Sequence, residues 1–143
     1  MSGTRQTVTV AYGTVVHARV QQISHAGIYG PYSSASASVV ALDPAADADG
    51  DGQSNAAEDV AGTDPLLATS TFKATGIAAS GNDMVISATT VAGKVYQLET
   101  SLTLQPPWSP IGTSVTSNSA TTAFTHSGGA GAGKRFYRVR VMP

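Results

Sequence analysis

Short stretches in which apolar and polar residues alternate dominate the chain, and a period of two predicts β-strands. The clearest stretch is 135–142, which places three apolar residues on one face: Tyr137, Val139 and Val141. The same reasoning predicts seven strands in the second half of the chain, at 72–77, 83–90, 94–101, 108–112, 114–117, 121–126 and 135–142. Gly, Pro and Asn separate these stretches, and the spacing is typical of a small β-sandwich.

The first part of the chain predicts three further strands, over 6–12, 14–23 and 35–42, with a turn-rich connection at 27–32. Three strands are too few for a stable sandwich of their own. These predicted strands contain valines whose apolar side chains need to be buried against other residues: Val8, Val10, Val16, Val20 and Val40. We expect either the second half of the same chain or the strands of a neighbouring copy to supply those residues.

Residues 43–65 differ in character, because aromatic residues are missing and Asp, Gly and Ala dominate. A short helix is predicted over 54–61, since Gly62 is well placed to end it and Pro65 follows. We therefore expect an all-β protein in three parts: a partial β unit at 1–42, a linker at 43–65 and a β-sandwich at 66–143.

The charge of the chain is −1 overall, but seven of its nine acidic residues fall between Asp43 and Asp64. This cluster needs neutralisation, and the balance is not that of a nucleic-acid-binding protein. The chain has no cysteine, which leaves its redox compartment open. No apolar run is long enough for a transmembrane helix, and the first residues lack the apolar stretch of a signal peptide. A secreted protein would have lost that signal, or this chain would be part of a longer product.

Within the acidic cluster, residues 47–58 fit the calcium-loop pattern D-x-[DN]-x-[DN]-G-x5-E in full. Calcium takes six to eight oxygen ligands, and alternate carboxylates can point at one centre. Gly52 allows the sharp turn, after which Gln53 offers its backbone carbonyl. The predicted ligands of Ca²⁺ are Asp47, Asp49, Asp51, Gln53, Asn55 (direct or through water) and Glu58.

The stretch 47–65, with its trailing Gly62-Thr-Asp-Pro65, resembles the calcium-binding repeats of thrombospondin type 3 and of dockerin-like segments. The resemblance implies Asp64 as an additional metal ligand. No helix is predicted before the loop, so a helix-loop-helix calcium sensor is not expected.

The flanking parts carry two further resemblances. Residues 6–42 resemble the last three strands of a fibronectin type III domain, through Tyr12-Gly13 and the segment 27–33. Residues 70–143 resemble the immunoglobulin-like sandwiches at the carboxy-terminal end of large bacterial surface proteins, through 95–101, Trp108 and 136–139. These resemblances imply an extracellular setting and an adhesive, structural or enzyme-appended role.

Candidate catalytic groups are few, and we expect no enzyme. The sequence has no G-x-S-x-G motif, and its three histidines, His17, His25 and His126, lack metal-ligand spacing. The carboxylates of Asp83 and Glu99 are predicted on a turn and a strand, with no sign that they meet.

Two functions remain. The first is a calcium-stabilised structural module of a bacterial surface filament or array, whose partners are copies of itself or neighbouring modules. The second is a carbohydrate-binding or adhesive module appended to a secreted enzyme, with a sugar-stacking platform of Trp108, Tyr96 and Tyr137. We expect these three aromatics to lie in the core of the sandwich instead. The many Ser and Thr residues are also compatible with O-linked glycans.

Overall fold

A computed structural model of the chain describes residues 8–19, 21–23 and 26–142. The chain divides into two compact units, Met1–Ala46 and Asp47–Pro143. Strands and one short α-helix make up the regular structure, which confirms the all-β class. Within the described ranges, no helix combines the length and the apolar character needed to cross a membrane.

The described residues of the first unit form four short strands in two antiparallel ladders. These strands are β1 (Val15–Val16), β2 (Gln21–Ile23), β3 (Tyr29–Tyr32) and β4 (Val39–Val40). Strand β1 pairs with β4, and β2 pairs with β3. Most of the large apolar side chains that the structure describes in this unit are exposed, so the ladders enclose little core.

Several predictions for this unit are wrong. The predicted strand 14–23 is split between β1 and β2, the predicted strand 35–42 contains only β4, and the connection 27–32 contains β3. Residues 8–12 of the predicted strand 6–12 join no ladder of the described chain, while positions 6, 7, 20 and 25 lie outside the described residues. Strand propensity reflects the fit of a side chain to a pleated surface, and it does not supply the partner strand that a ladder requires.

The second unit contains six longer strands, one α-helix and a 3-10 turn at Gly129–Gly131. The helix is α1 (Asn55–Ala61), and the strands are β5 (Ala74–Ser80), β6 (Asp83–Thr89), β7 (Val95–Ser101), β8 (Ser109–Thr116), β9 (Thr121–His126) and β10 (Phe136–Met142). They form two antiparallel sheets with the orders β5-β6-β9 and β10-β7-β8.

Most predicted strands of this half are confirmed within a few residues, but the two predicted at 108–112 and 114–117 are one continuous strand, β8. The first of these predicted strands ends at Gly112, which has a φ of 62°. In the fold this glycine lies where the pairing of β8 with β7 shifts register between Tyr96 and Leu98. Glycine inside a strand often marks such an irregularity.

Residues of both sheets share one core, formed by Ile86, Ala88, Tyr96, Leu98 and Phe124. The Tyr96 ring is fully buried and lies 5.6 Å from the ring of Phe72 and 6.4 Å from that of Phe124. Its hydroxyl accepts a hydrogen bond of 2.7 Å from the Val91 N–H, which satisfies the polar end of the buried ring.

The prediction that Tyr96, Tyr137 and Trp108 belong to the core is confirmed for the two tyrosines, since Tyr137 packs against the core cluster. It is wrong for Trp108. The guanidinium of Arg138 lies 4.5 Å from the centre of the Trp108 ring, and Arg138 also forms an ion pair of 2.6 Å with Glu99. A cation over the face of an indole ring is attracted by the ring quadrupole, so Trp108 has a polar partner here and lies outside the apolar core.

Candidate metal centre

The loop that follows the first unit winds around the carboxylate of Asp47. One oxygen of Asp47 accepts a hydrogen bond of 2.7 Å from the Gly50 N–H, and the other accepts one of 2.9 Å from the Gly52 N–H. These bonds, above all that from Gly52, hold the pKa of Asp47 below its ordinary value. Gly52 has a φ of 95°, in the region that favours glycine, which explains the glycine of the loop pattern.

Asp49 and Asp51 repeat one local geometry. Oδ1 of Asp49 accepts a hydrogen bond of 3.2 Å from the Asp51 N–H, and Oδ1 of Asp51 accepts one of 2.7 Å from the Gln53 N–H. The second oxygen, Oδ2, of each residue is buried and has no hydrogen-bond partner. Carboxylate oxygens of Asp47, Asp49 and Asp51 lie within 4.8 Å of one another.

Helix α1 supplies the fourth carboxylate. The helix begins after Ser54, whose hydroxyl accepts a hydrogen bond of 3.3 Å from the Ala57 N–H, and it buries one face: Asn55, Glu58 and Ala61. Glu58 is 0% exposed, and neither of its carboxylate oxygens has a hydrogen-bond partner. The face of the helix that carries Glu58 is therefore turned away from solvent.

Burial raises the pKa of Glu58 above its ordinary value, and the charges of Asp49, Asp51 and Asp47 raise it further. The nearby Thr63 hydroxyl acts in the opposite direction without forming a hydrogen bond to the carboxylate. Four carboxylate oxygens of this region are buried without a hydrogen-bond partner: Asp49 Oδ2, Asp51 Oδ2, Glu58 Oε1 and Glu58 Oε2.

Such an arrangement fits a hard divalent cation. A buried ionised carboxylate without a partner costs a large amount of free energy. A set of oxygen ligands without nitrogen or sulfur is that preferred by calcium and magnesium. The residues present are therefore compatible with the predicted ion.

The remaining predicted ligands have other contacts. The side-chain oxygen of Asn55 accepts a hydrogen bond of 3.2 Å from the Ala48 N–H, and so links the helix to the start of the loop. Asp64 is exposed, and its Oδ1 accepts a hydrogen bond of 3.0 Å from the Leu66 N–H within a turn. In the part of the chain that the structure describes, the close acidic cluster contains the three loop aspartates, and neither Glu58 nor Asp64 belongs to it.

Lys94 is a residue of this region that the sequence did not indicate. It lies in the connection between β6 and β7, and its Nζ donates hydrogen bonds to the carbonyl oxygens of Val60, at 2.8 Å, and Asp59, at 3.4 Å. These carbonyls lie at the C-terminal end of α1, where a cation is favourable. The contact joins Lys94 to residues more than thirty positions earlier in the chain, and no local pattern in the sequence indicates it.

Gly62 ends the helix beside Lys94. Its φ is 78°, and its N–H donates a hydrogen bond of 2.6 Å to the Glu58 carbonyl. A β-carbon at position 62 would lie 2.8 Å from Cε of Lys94. The end of helix α1 and the β6–β7 connection are thus in close contact. This contact links the helix of the candidate metal centre to the sheets of the second unit.

Comparisons with family models, curated proteins and solved structures give no match for this chain.

Proposed function

We propose that this chain is a calcium-stabilised, non-catalytic structural module of an extracellular protein. The observation that carries the proposal is Glu58, whose two carboxylate oxygens are buried without a partner beside three aspartates. The ligand set of the proposal is Asp47, Asp49, Asp51, Gln53 and Glu58, with Asn55 acting through water.

Calcium in this loop would act on the whole second unit. It would remove the repulsion among the four carboxylates and fix helix α1, whose C-terminal carbonyls already contact Lys94. The ion would in this way couple the loop to the two sheets. We further propose that these sheets form a sandwich of the fibronectin or immunoglobulin type, and that an extracellular setting supplies calcium at the concentrations which such loops bind.

We favour this role over that of a carbohydrate-binding module. The aromatic platform of the alternative needs Tyr96, Tyr137 and Trp108 on one exposed face. Tyr96 is 0% exposed, and Trp108 lies under Arg138.

Thermal unfolding in calcium and in EDTA tests the proposal. A ligand that binds only the folded chain stabilises it by about 2.7 kcal/mol at a concentration one hundred times its Kd. We expect the unfolding temperature to rise with calcium concentration in the wild type and in the control Asp59→Asn, which changes an exposed acid of the same helix. Asp49→Ala should abolish the rise. An equal unfolding temperature in calcium and EDTA for the wild type would refute the proposal.

A further inference from the structure

A groove of about 470 Å³ separates the free edges of the two sheets in the second unit. It runs between β5 of one sheet and the start of β10 of the other. Its lining is largely apolar or aromatic and includes Ile77, Ile86, Phe136, Tyr137 and Arg135. A volume of this size is within the range of sites that hold a ligand or a short peptide segment.

The pairing of β5 with β6 indicates that the core is uncovered at this groove. Ile77 lies directly opposite Ile86 in the antiparallel ladder, so both side chains are on the same face of the sheet. Ile86 is 3% exposed and belongs to the core, whereas Ile77 is 57% exposed. The core face of β5 therefore lacks the covering strand that the other sheet provides over β6.

The backbone around the groove is also open. Among the described strands, β5 pairs only with β6, and β10 pairs only with β7, so each has one free edge. Nε of Arg135, at the start of β10, is buried and has no hydrogen-bond partner. The carbonyl groups of an added strand would offer acceptors to Arg135 and to the free N–H groups of β10.

We propose that a strand from a second copy of this chain occupies the groove, pairs with the free edge of β10 and covers the core face of β5. The occupant is the segment 8–12 of the neighbouring copy. This inference rests on the structural role proposed above and names its partner surface.

Two properties of the segment 8–12 favour it. Its apolar side chains alternate, with Val8, Val10 and Tyr12 on one face, as a strand covering Ile77 and Ile86 requires. In the described chain the segment joins no ladder, and Val8 and Tyr12 are 72% and 63% exposed. One chain thus carries both an open groove and a strand-like segment without a sheet. Contacts of this kind run head to tail, and they propagate into a filament when they do not close into a ring.

The test uses the full chain in calcium and two variants, one on each side of the contact. Ile77→Asp places a charge in the groove, and Val8→Asp places one on the covering face of the segment. Both positions are exposed in the single chain, so folding should be unaffected. Matched controls are Ala78→Asp and Thr9→Asp, which alter the opposite faces of the same two segments.

By analytical ultracentrifugation we expect the wild type and both controls to form species larger than the 14.5 kDa chain as concentration rises. Each groove or segment variant should remain at 14.5 kDa. An equimolar mixture of the two variants should form a heterodimer of twice that mass, because one retains its groove and the other its segment.

A wild type that stays monomeric at high concentration, assembly that survives in both variants, or a mixture that stays monomeric would overturn the inference. Circular dichroism of each variant confirms that a loss of assembly is not a loss of fold. The calcium-dependent rise in unfolding temperature is measured on the same samples. A monomeric chain that calcium stabilises would reject only the strand contact, and an assembling chain indifferent to calcium would reject only the proposed calcium site.

Discussion

Glu58 is both a calcium ligand predicted from the loop pattern and a carboxylate that the fold buries. It is buried on helix α1 beside Asp47, Asp49 and Asp51, and both of its oxygens are without a hydrogen-bond partner. Without a cation, the ionised form of this residue opposes folding. With a cation, the same charge becomes an attractive contact. The sign of its contribution therefore depends on the ion.

Stability in EDTA should depend on pH through Glu58. The folded state raises its pKa above the ordinary 4.5, so it binds this proton more tightly than the unfolded chain does. The stabilisation by protonated Glu58 is complete below pH 4.5, and it is lost as pH rises through the pKa of Glu58 in the folded state. The pKa of Asp47 is lowered from 3.8, so Asp47 affects stability at lower pH than Glu58 does. The stabilisation by ionised Asp47 is lost as pH falls through its pKa in the folded state.

Glu58→Gln isolates this effect, since the amide carries no charge at any pH. We expect the variant to unfold at a higher temperature than the wild type at pH 7.5 in EDTA, and the difference to shrink towards pH 4.5. Scanning calorimetry across this range measures it. A variant less stable than the wild type at pH 7.5 in EDTA would show that the ionised carboxylate has a stabilising protein partner.

The buried hydroxyl of Tyr96 gives a second prediction, independent of the ion. Tyr96→Phe removes the acceptor of the Val91 N–H and keeps the ring in the core. We expect a loss of about 1 kcal/mol in the free energy of unfolding, as is usual for one hydrogen bond. Chemical denaturation measures this loss, and the calcium affinity of the variant should equal that of the wild type. An unchanged free energy of unfolding would mean that water replaces the hydroxyl.

Among the elements, helix α1 links the loop to the sheets. Its first turn is capped by Ser54, its middle residue is Glu58, and its last carbonyls contact Lys94. The helix has only seven residues and would not be stable alone. Its stability therefore comes from the loop at one end and from Lys94 at the other.

Lys94→Met should weaken this link. The change keeps much of the side-chain length and removes the charge at the C-terminal end of the helix, where a cation contributes roughly 0.3–1 kcal/mol. We expect a lower unfolding temperature for the second unit, and the control Lys73→Met, at an exposed lysine, should have no such effect. Equal unfolding temperatures for the two variants would contradict the link.

The sequence predicted helix α1 and the longer strands because their signals are local. Ser54 and Gly62 bound the helix, and the alternation in β6, β9 and β10 follows from one more deeply buried face. The prediction ended a strand at Gly112, whereas Gly112 lies inside the continuous strand β8. The β1–β4 ladder of the first unit was missed because its strands are distant in sequence. The β2–β3 ladder was missed because β3 includes Gly30 and Pro31, which are typical of a turn.

The sequence pattern identified the acidic residues of the candidate metal centre, but it did not identify the residues that contact the loop and the helix from other parts of the chain. The positions of Asp47, Asp49, Asp51 and Glu58 follow from a fixed spacing. The fold brings oxygens of the three aspartates within 4.8 Å of one another, and Glu58 lies outside that close cluster but near enough for their charges to raise its pKa. Lys94 acts across a long sequence separation, and the turn that engages Asp64 depends on Leu66 and Ser70. Contacts of this type need three-dimensional information.

At the scale of the whole molecule, the candidate metal centre belongs to the second compact unit, Asp47–Pro143. We expect calcium to slow amide hydrogen exchange in the loop and helix, and also at the β6–β7 connection that contacts the helix. Exchange in β3 of the first unit should not change. Hydrogen-exchange mass spectrometry measures both. Slower exchange in β3 alone would place the effect of the ion elsewhere.

Isothermal titration of the full chain with calcium measures binding at the proposed site itself. We expect one bound ion per chain and unchanged binding in Asp59→Asn. Glu58→Gln should weaken binding by roughly tenfold or more, because an interaction with a charged group contributes about 1.5–3 kcal/mol. Absence of binding heat in the wild type, or equal calcium affinity in wild type and Glu58→Gln, would contradict the proposed calcium site.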